Sequence, residues 1–401
     1  MLTRRALLTT AIVGSLPAAP AILKAAETPG VTATEIRIGN TMPYSGPVSA
    51  YATVGRTMAA AFRMANEQGG FAGRKIVFLS YDDAYSPPKS VEQTRRLIEE
   101  DKVAALFGTL GSPTNSATWR YINQKQVPHL FLTNGLDKWA NYQEHPWTIG
   151  WMPSYVIEGR IYGKYILEQA PDAKIGILHQ NDDFGKDHMR GVRDILKGRY
   201  DRQVTSASYE VTDPKIDSQL ISLHAAGAEV LMTFATPKFA AQSIRKVADM
   251  GWKPLHFLSS SSVSVGAVMN PAGPDNGIGI ISAAFMKDPT DPRWDNDDGI
   301  REWRDFMAKY YPEGDLKDVF NVAGFGMTHT MLHVLRQCGE DFSRENMMRQ
   351  ATHLHQVENP ILLPGIRINT DPTDYRPIKQ LQLIRWTGKT WDLFGNVKDG
   401  V

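Results

Sequence analysis

Two stretches of this chain repeat one rhythm, a short aliphatic run followed by a longer segment with apolar residues at helical spacing. That repetition restricts the fold more than any other feature. In the first stretch, strands are predicted at 36–39, 75–80, 103–107 and 129–132, with helices at 51–68, 90–101 and 116–126. The 51–68 helix turns Met58, Ala61, Phe62 and Ala65 to one face and stops at Gly69-Gly70. The rhythm restarts near residue 154, with helices at 155–169, 185–197, 216–226 and 239–250 and strands at 174–178, 202–211, 229–233 and 256–259. Alternation at this spacing makes βαβ units, whose strands lie parallel under crossover helices. An α/β fold of two lobes is therefore expected, each lobe on its own parallel sheet. Breaks at 151–154, 283–291 and 359–365 carry Pro or Gly and are the candidate crossings between lobes. They assign 27–153 plus about 284–360 to an N-terminal lobe and 154–283 plus about 361–401 to a C-terminal lobe.

At 401 residues the chain can bury a sizeable core in each half. Its 44 Lys+Arg against 43 Asp+Glu give a net charge of +1, so no basic surplus points to nucleic acid. The single cysteine, Cys338, rules out an internal disulfide or a Cys-rich metal cluster. Residues 1–26 begin Met1-Leu2-Thr3-Arg4-Arg5, run apolar to about Leu16 and end in a Pro/Ala-rich stretch, which reads as a removable export signal. The stretch Thr3-Arg4-Arg5-Ala6-Leu7-Leu8 also resembles a twin-arginine signal. The run is broken by Gly14, Ser15 and Pro17, short of the ~20 residues a membrane-spanning helix needs.

In an open parallel sheet, ligands bind where the carboxyl ends of strands lead into helix N-termini. The strand ending at Phe107-Gly108 runs through Thr109-Leu110-Gly111-Ser112-Pro113-Thr114-Asn115 into a helix, with Ser112 placed as N-cap and Pro113 at the first helical position. Free N–H groups, the positive helix end and the hydroxyls of Ser112 and Thr114 suit a carboxylate. A second such edge is His179-Gln180-Asn181-Asp182-Asp183-Phe184-Gly185, where Asp182 and Asp183 are expected to cap the helix and Phe184 to face the cleft. No His, Asp or Glu spacing suits a metal, and His329 and His333 lack the Glu of H-E-x-x-H, so neither metal nor other cofactor is expected. The first strand-to-helix turn, Gly39 to Gly46, carries neither G-x-G-x-x-G nor G-x-x-x-x-G-K. Tyr121 and Lys125 sit four apart but read as a surface turn, and no nucleophile elbow is present, so an enzyme is not expected.

Ala65-Asn66-Glu67-Gln68-Gly69-Gly70-Phe71-Ala72-Gly73-Arg74-Lys75-Ile76, the stretch from Asp82-Asp83 to Gly111-Ser112, and Asp183-Phe184-Gly185 together resemble the exported type I solute-binding proteins of ABC importers, the group that includes the leucine/isoleucine/valine-binding proteins. The resemblance implies two flavodoxin-like lobes joined by three hinge crossings and closing on a ligand in the cleft between them. It also implies a periplasmic location, a membrane permease and ATPase as partners, and a monomer. Carried over by position, Ser112 matches the carboxylate-binding serine, with Thr133, Asn134 and Gly135 completing that grip. Phe184 matches an aromatic residue that covers the ligand, while Ala235, Thr236, Ser260 and Ser261 fall on the two C-terminal-lobe loops that meet its other end. Amino-acid binders place a carboxylate in the last of these loops, but Leu258-Ser259-Ser260-Ser261-Ser262-Val263 has none. An ammonium buried without counter-charge is costly. The preferred ligand is therefore a small carboxylate without an ammonium, an aromatic acid of the benzoate or phenylpropanoid kind, between walls drawn from Phe184, Tyr51, Tyr44 and Phe320. A branched-chain or other hydrophobic amino acid is the alternative, reached if Glu210 or Asp213 comes to the site. A ligand sensor on the same fold is the remaining class.

Overall fold

The computed structural model describes residues 28–399, so the expected export signal lies outside the described residues. The first lobe opens with β1 (Glu35–Met42), α1 (Ala52–Glu67), β2 (Lys75–Asp82), α2 (Pro87–Arg95), β3 (Ala105–Phe107), α3 (Ser112–Gln124), β4 (His129–Leu132) and β5 (Thr148–Gly150). Its five strands run in the order β2-β1-β3-β4-β5, every neighbouring pair parallel. The chain then crosses into the second lobe. That lobe holds α4 (Tyr155–Gln169), β6 (Ile175–Gln180), α5 (Asp183–Leu196), the short α6 (Tyr200–Gln203), β7 (Val204–Tyr209), α7 (Asp217–Ala225), β8 (Val230–Phe234), α8 (Pro237–Asp249), β9 (Leu255–Leu258), the short α9 (Asn270–Ala272) and β10 (Ile281–Ala284). A second crossing returns it to the first lobe for α10 (Asp298–Tyr310), α11 (Val319–Gln337) and α12 (Arg344–Ala351), with α10 and α11 packing on α1. The last crossing brings β11 (Gln380–Trp386) and β12 (Trp391–Asp399) to the second sheet, whose order is β12-β11-β10-β9-β8-β6-β7.

Burial explains the sheets. β3, β4, β6 and β8 are buried along their whole lengths, because helices cover both faces of a parallel sheet and leave no polar face. The expected parallel sheets are present, and the second carries an addition that the strand–helix rhythm does not contain. β10, β11 and β12 pair antiparallel, closed by a turn in which Thr387 N donates to Thr390 O at 3.0 Å. The Gln380-Leu381-Gln382-Leu383 alternation is that of a half-buried hairpin strand.

In the second lobe, α4 and α5 approach backbone to backbone. A Cβ at Gly191 would stand 2.2 Å from Val156 O and 2.9 Å from Arg160 N, both main-chain atoms of α4. Replacing Gly191 by Ala must push the helices apart, an overpacking cost of about 1–3 kcal/mol. Gly198, with nothing within 4 Å of its would-be Cβ, is the control. We expect Gly191→Ala to lower the urea midpoint and Gly198→Ala to leave it in place; equal midpoints for the two variants would contradict the close approach.

Candidate functional site

The carboxyl ends of the two sheets face each other, and the loops that leave them enclose a cavity of about 70 Å³. β3 and β4 deliver Leu110, Gly111, Ser112, Thr133 and Asn134 from the first lobe; β6, β8 and β9 deliver Phe184, Thr236, Ser260, Ser261 and Val263 from the second. The crossings add Trp151, Met152, Phe285 and Met286, and the start of α11 adds Val319, Phe320, Ala323 and Met327. Tyr51, Val54, Tyr85 and Tyr155 complete the wall, and none of these lining side chains carries a charge.

On the first-lobe side, Ser112 is not the helix cap that its position in the sequence suggests. Gly111 caps α3, at φ +110°, a conformation natural to glycine, and a Cβ there would meet Thr114 Oγ1 at 2.5 Å and the Tyr85 ring at 2.6 Å. The Ser112 hydroxyl is thereby released from capping and accepts a hydrogen bond from Asn134 Nδ2 at 2.8 Å. Asn134 is itself fixed, its Oδ1 accepting from Leu136 N and from Trp139 Nε1, each at 2.8 Å. Ser112 keeps its own hydrogen, and the N–H groups of Ser112 and Thr114 have no acceptor among the described residues, while that of Gly111 faces Thr133 O in the Leu110–Thr133 bridge. The Ser112 hydroxyl and N–H thus stand free at the positive end of α3 without a cation, with the Thr114 N–H unpaired in the same first turn, a setting for an anion.

Not every expected residue lines the cavity. Thr114 donates its hydroxyl to Leu110 O at 2.6 Å and is fully buried. Gly135 backs onto Pro153 O and the Tyr155 ring, and its carbonyl accepts from Tyr155 N at 2.8 Å. Ala235 is buried beneath the surface, its carbonyl accepting from Ser262 Oγ at 2.5 Å. Tyr44 lies elsewhere, bonded to Ser80 Oγ at 2.5 Å. Glu210 and Asp213 stay on the surface, where Asn181 Nδ2 donates to Glu210 Oε1 at 2.6 Å and Glu210 N to Asp213 Oδ2 at 2.9 Å. Thr133 does line the cavity, with its hydroxyl donated to Gly108 O at 2.9 Å.

On the second-lobe side, Asp182 caps α5, accepting from Phe184 N at 3.0 Å and Gly185 N at 3.4 Å, which sets Phe184 in the wall edge-on to Tyr155. Asp183 does not share the capping. It reaches across to the first lobe, where Lys138 Nζ stands 2.9 Å away, next to Ser116 Oγ at 3.2 Å. Arg190 likewise meets Asp137 at 2.9 Å, and Tyr51 donates its hydroxyl to Ser261 O at 2.8 Å. The lobes are thus tied by ion pairs outside a cavity whose lining side chains are uncharged.

The residue that sequence reading missed is Glu158. It lies in the first turn of α4, 2 % exposed, and its carboxylate accepts from Ser260 N at 2.9 Å and from the Ser260 hydroxyl. His188 Nε2 is 3.4 Å from the same carboxylate, its Nδ1 donates to Phe184 O at 2.9 Å, and its ring stacks between Tyr155 and Phe234. Burial pushes the Glu158 carboxyl up, but His188 and the Ser260 hydrogen bonds outweigh it and hold the group below its ordinary value, so it is ionised. The 258–263 loop indeed lacks a carboxylate of its own; one reaches it from a helix far earlier in the chain. In sequence, Tyr155-Val156-Ile157-Glu158 reads only as an acid in a first helical turn.

The pattern of the periplasmic binding protein family matches residues 35–390. This chain belongs to that family. The Leu/Ile/Val-binding protein homolog 7 of Brucella suis biovar 1 (strain 1330) is 24% identical over 265 residues, an alignment spanning 64% of this chain and 65% of that relative's length. A branched-chain amino acid ABC transporter protein from Thermus thermophilus, solved with bound valine, superposes with a TM-score of 0.81 at 15% identity, over 92% of this chain and 97% of the other. A fatty acid ABC transporter substrate-binding protein from Thermomonospora curvata does so at 0.77 and 17% identity, over 93% and 94%. These likenesses show the fold. Among the described residues, no helix of this chain is long and apolar enough to cross a membrane.

Beneath the cavity of this binding protein lies Asp83, fully buried, with Oδ1 accepting from Tyr85 N at 2.9 Å and Oδ2 without a partner. Burial pushes its carboxyl up from 3.8 to about 6, against the Tyr85 hydrogen bond. The folded state therefore holds a proton that the unfolded chain releases above about 3.8, so stability falls as pH rises from about 4 to about 6. Burial drives Asp288 and Asp318 to about 6 as well, and they act in the same window. Urea midpoints should drop across that range, and Asp83→Asn should flatten the drop by up to about 3 kcal/mol; an unaltered slope would show that Asp83 titrates normally.

Proposed function

We propose that this chain is the exported, periplasmic binding component of an ABC-type importer, taking up a small hydrophobic carboxylate and presenting it to a membrane permease and its ATPase. The observation that carries this reading is the contrast within one cavity: apolar and aromatic walls, and a single convergence of free donors at the start of α3. A ligand carboxylate at Ser112 would gain several charge-assisted hydrogen bonds, each worth about 1.5–3 kcal/mol. Its apolar body would lie among Phe184, Tyr155, Tyr51, Trp151 and Phe320, on both lobes and on a crossing. A ligand that touches both lobes favours their closed arrangement by those differential contacts, and closure is what a permease can read.

Branched-chain amino acids are the first candidates. Brucella relatives carry Leu/Ile/Val-binding names and the Thermus neighbour was solved with valine. A second reading, an aromatic or aliphatic acid without an ammonium, is favoured by the absence of any carboxylate among the lining residues. The fatty acid name of the Thermomonospora neighbour is consistent with it.

Calorimetry on the protein lacking residues 1–26, as a monomer, with leucine, isoleucine, valine, benzoate and 3-phenylpropanoate separates the two. The first reading expects micromolar or tighter binding of a branched-chain amino acid; binding of the aromatic acids alone supports the second. Ser112→Ala should weaken the bound acid about ten- to a hundredfold. It leaves Asn134 Nδ2 without its acceptor, so about 1 kcal/mol of stability is lost too. Unchanged affinity in that variant would remove Ser112 from the site.

A further inference from the structure

We propose that Glu158, acting through the Ser260 hydroxyl, is the positioning residue that makes the second-lobe wall accept an α-ammonium group. This rests on the reading of the cavity as a site for a small hydrophobic amino acid.

The Ser260 hydroxyl has one hydrogen, and it is donated to Glu158. What Ser260 presents to the cavity is therefore lone pairs only, with an ionised carboxylate immediately behind them. The Ser260 N–H is engaged by the same carboxylate at 2.9 Å, so neither donor of this residue is left for an anion. Beside it, Ser261 Oγ is buried and has no partner, although Ser261 is only 8 % exposed and lines the cavity. Its carbonyl, which accepts from Tyr51, adds further negative potential. The cavity is thus polarised: donors at the tip of α3 on one lobe, and on the other the acceptor Ser260 Oγ beside a Ser261 hydroxyl that is free to donate or accept.

An ammonium donating to Ser260 Oγ would lie one hydroxyl away from the Glu158 carboxylate, whose hydrogen bond from Ser260 orients that acceptor toward it. The Glu158 charge is kept by local means. His188 is held by its Nδ1–H bond to Phe184 O and by the Tyr155 and Phe234 rings, with Nε2 turned to the carboxylate. The same histidine supports Phe184 and Tyr155, both lining residues, so the charge and the aromatic wall are set by one cluster.

The test compares leucine with 4-methylpentanoate, which has the same carbon skeleton and carboxylate but no ammonium. Wild type should prefer leucine. Glu158→Gln should lower leucine affinity about tenfold or more and leave 4-methylpentanoate within about threefold, so that the ratio collapses. Ser260→Ala, which removes the relay and spares the carboxylate, should do the same and decides the matter if the Gln variant does not fold by circular dichroism. A leucine preference in wild type that survives both substitutions, or variants that weaken both ligands equally, would reduce Glu158 to a clamp on the 260–262 turn and overturn the inference alone. Wild type that binds neither compound, or prefers 4-methylpentanoate, overturns the amino-acid reading and the inference with it.

Discussion

A parallel sheet sends every loop that follows a strand to the same edge, and each helix that begins there points its unpaired N–H groups outward. Two such sheets with their carboxyl edges opposed must enclose a space lined by strand-end loops and helix starts. That constraint produces the cavity here. The segments that follow β3 and β4 carry Ser112 and Asn134 on one side, and those that follow β6, β8 and β9 carry Phe184, Thr236 and Ser260 on the other. The crossings close the remaining sides with Trp151 and Phe285, whose rings lie 5.6 Å apart. Residues that join the lobes are thereby also residues of the wall, so relative movement of the lobes reshapes the cavity itself.

The distribution of charge follows a second logic. Ion pairs occupy the outer seam between lobes, at Lys138–Asp183 and Arg190–Asp137, where water screens them and each adds little. On the cavity wall fixed dipoles stand in place of charges: the tip of α3 offers donors, and Ser260 Oγ offers an acceptor backed by Glu158. Dipoles held by Gly111, Asn134 and the Glu158–His188 cluster are oriented before a ligand arrives, so binding does not have to order them.

Much of this was legible in the sequence because it is local. The strand–helix rhythm gives the lobes, and a strand running into Gly-Ser-Pro-Thr gives the position of Ser112. The same locality misled at that point. Ser before Pro fits the usual capping pattern, yet the left-handed turn belongs to Gly111, and Ser112 is free to face the cavity and Asn134. Glu158 escaped for the opposite reason. Its partner Ser260 is about a hundred residues away and the pairing exists only once α4 packs beside the loop after β9. The β11–β12 hairpin carries a plain alternating pattern, but its antiparallel placement beside β10 is decided by the sheet edge left open there.

The central claim is that the start of α3 receives a ligand's carboxylate while the ligand's body lies between the lobes. A crystal structure of the protein grown with leucine tests it most directly. The account predicts the carboxylate within hydrogen-bonding distance of Ser112 Oγ and of the Ser112 N–H, with the side chain against Phe184. A carboxylate seated instead on the 260–261 turn, or leucine lying outside the space between the lobes, would contradict it.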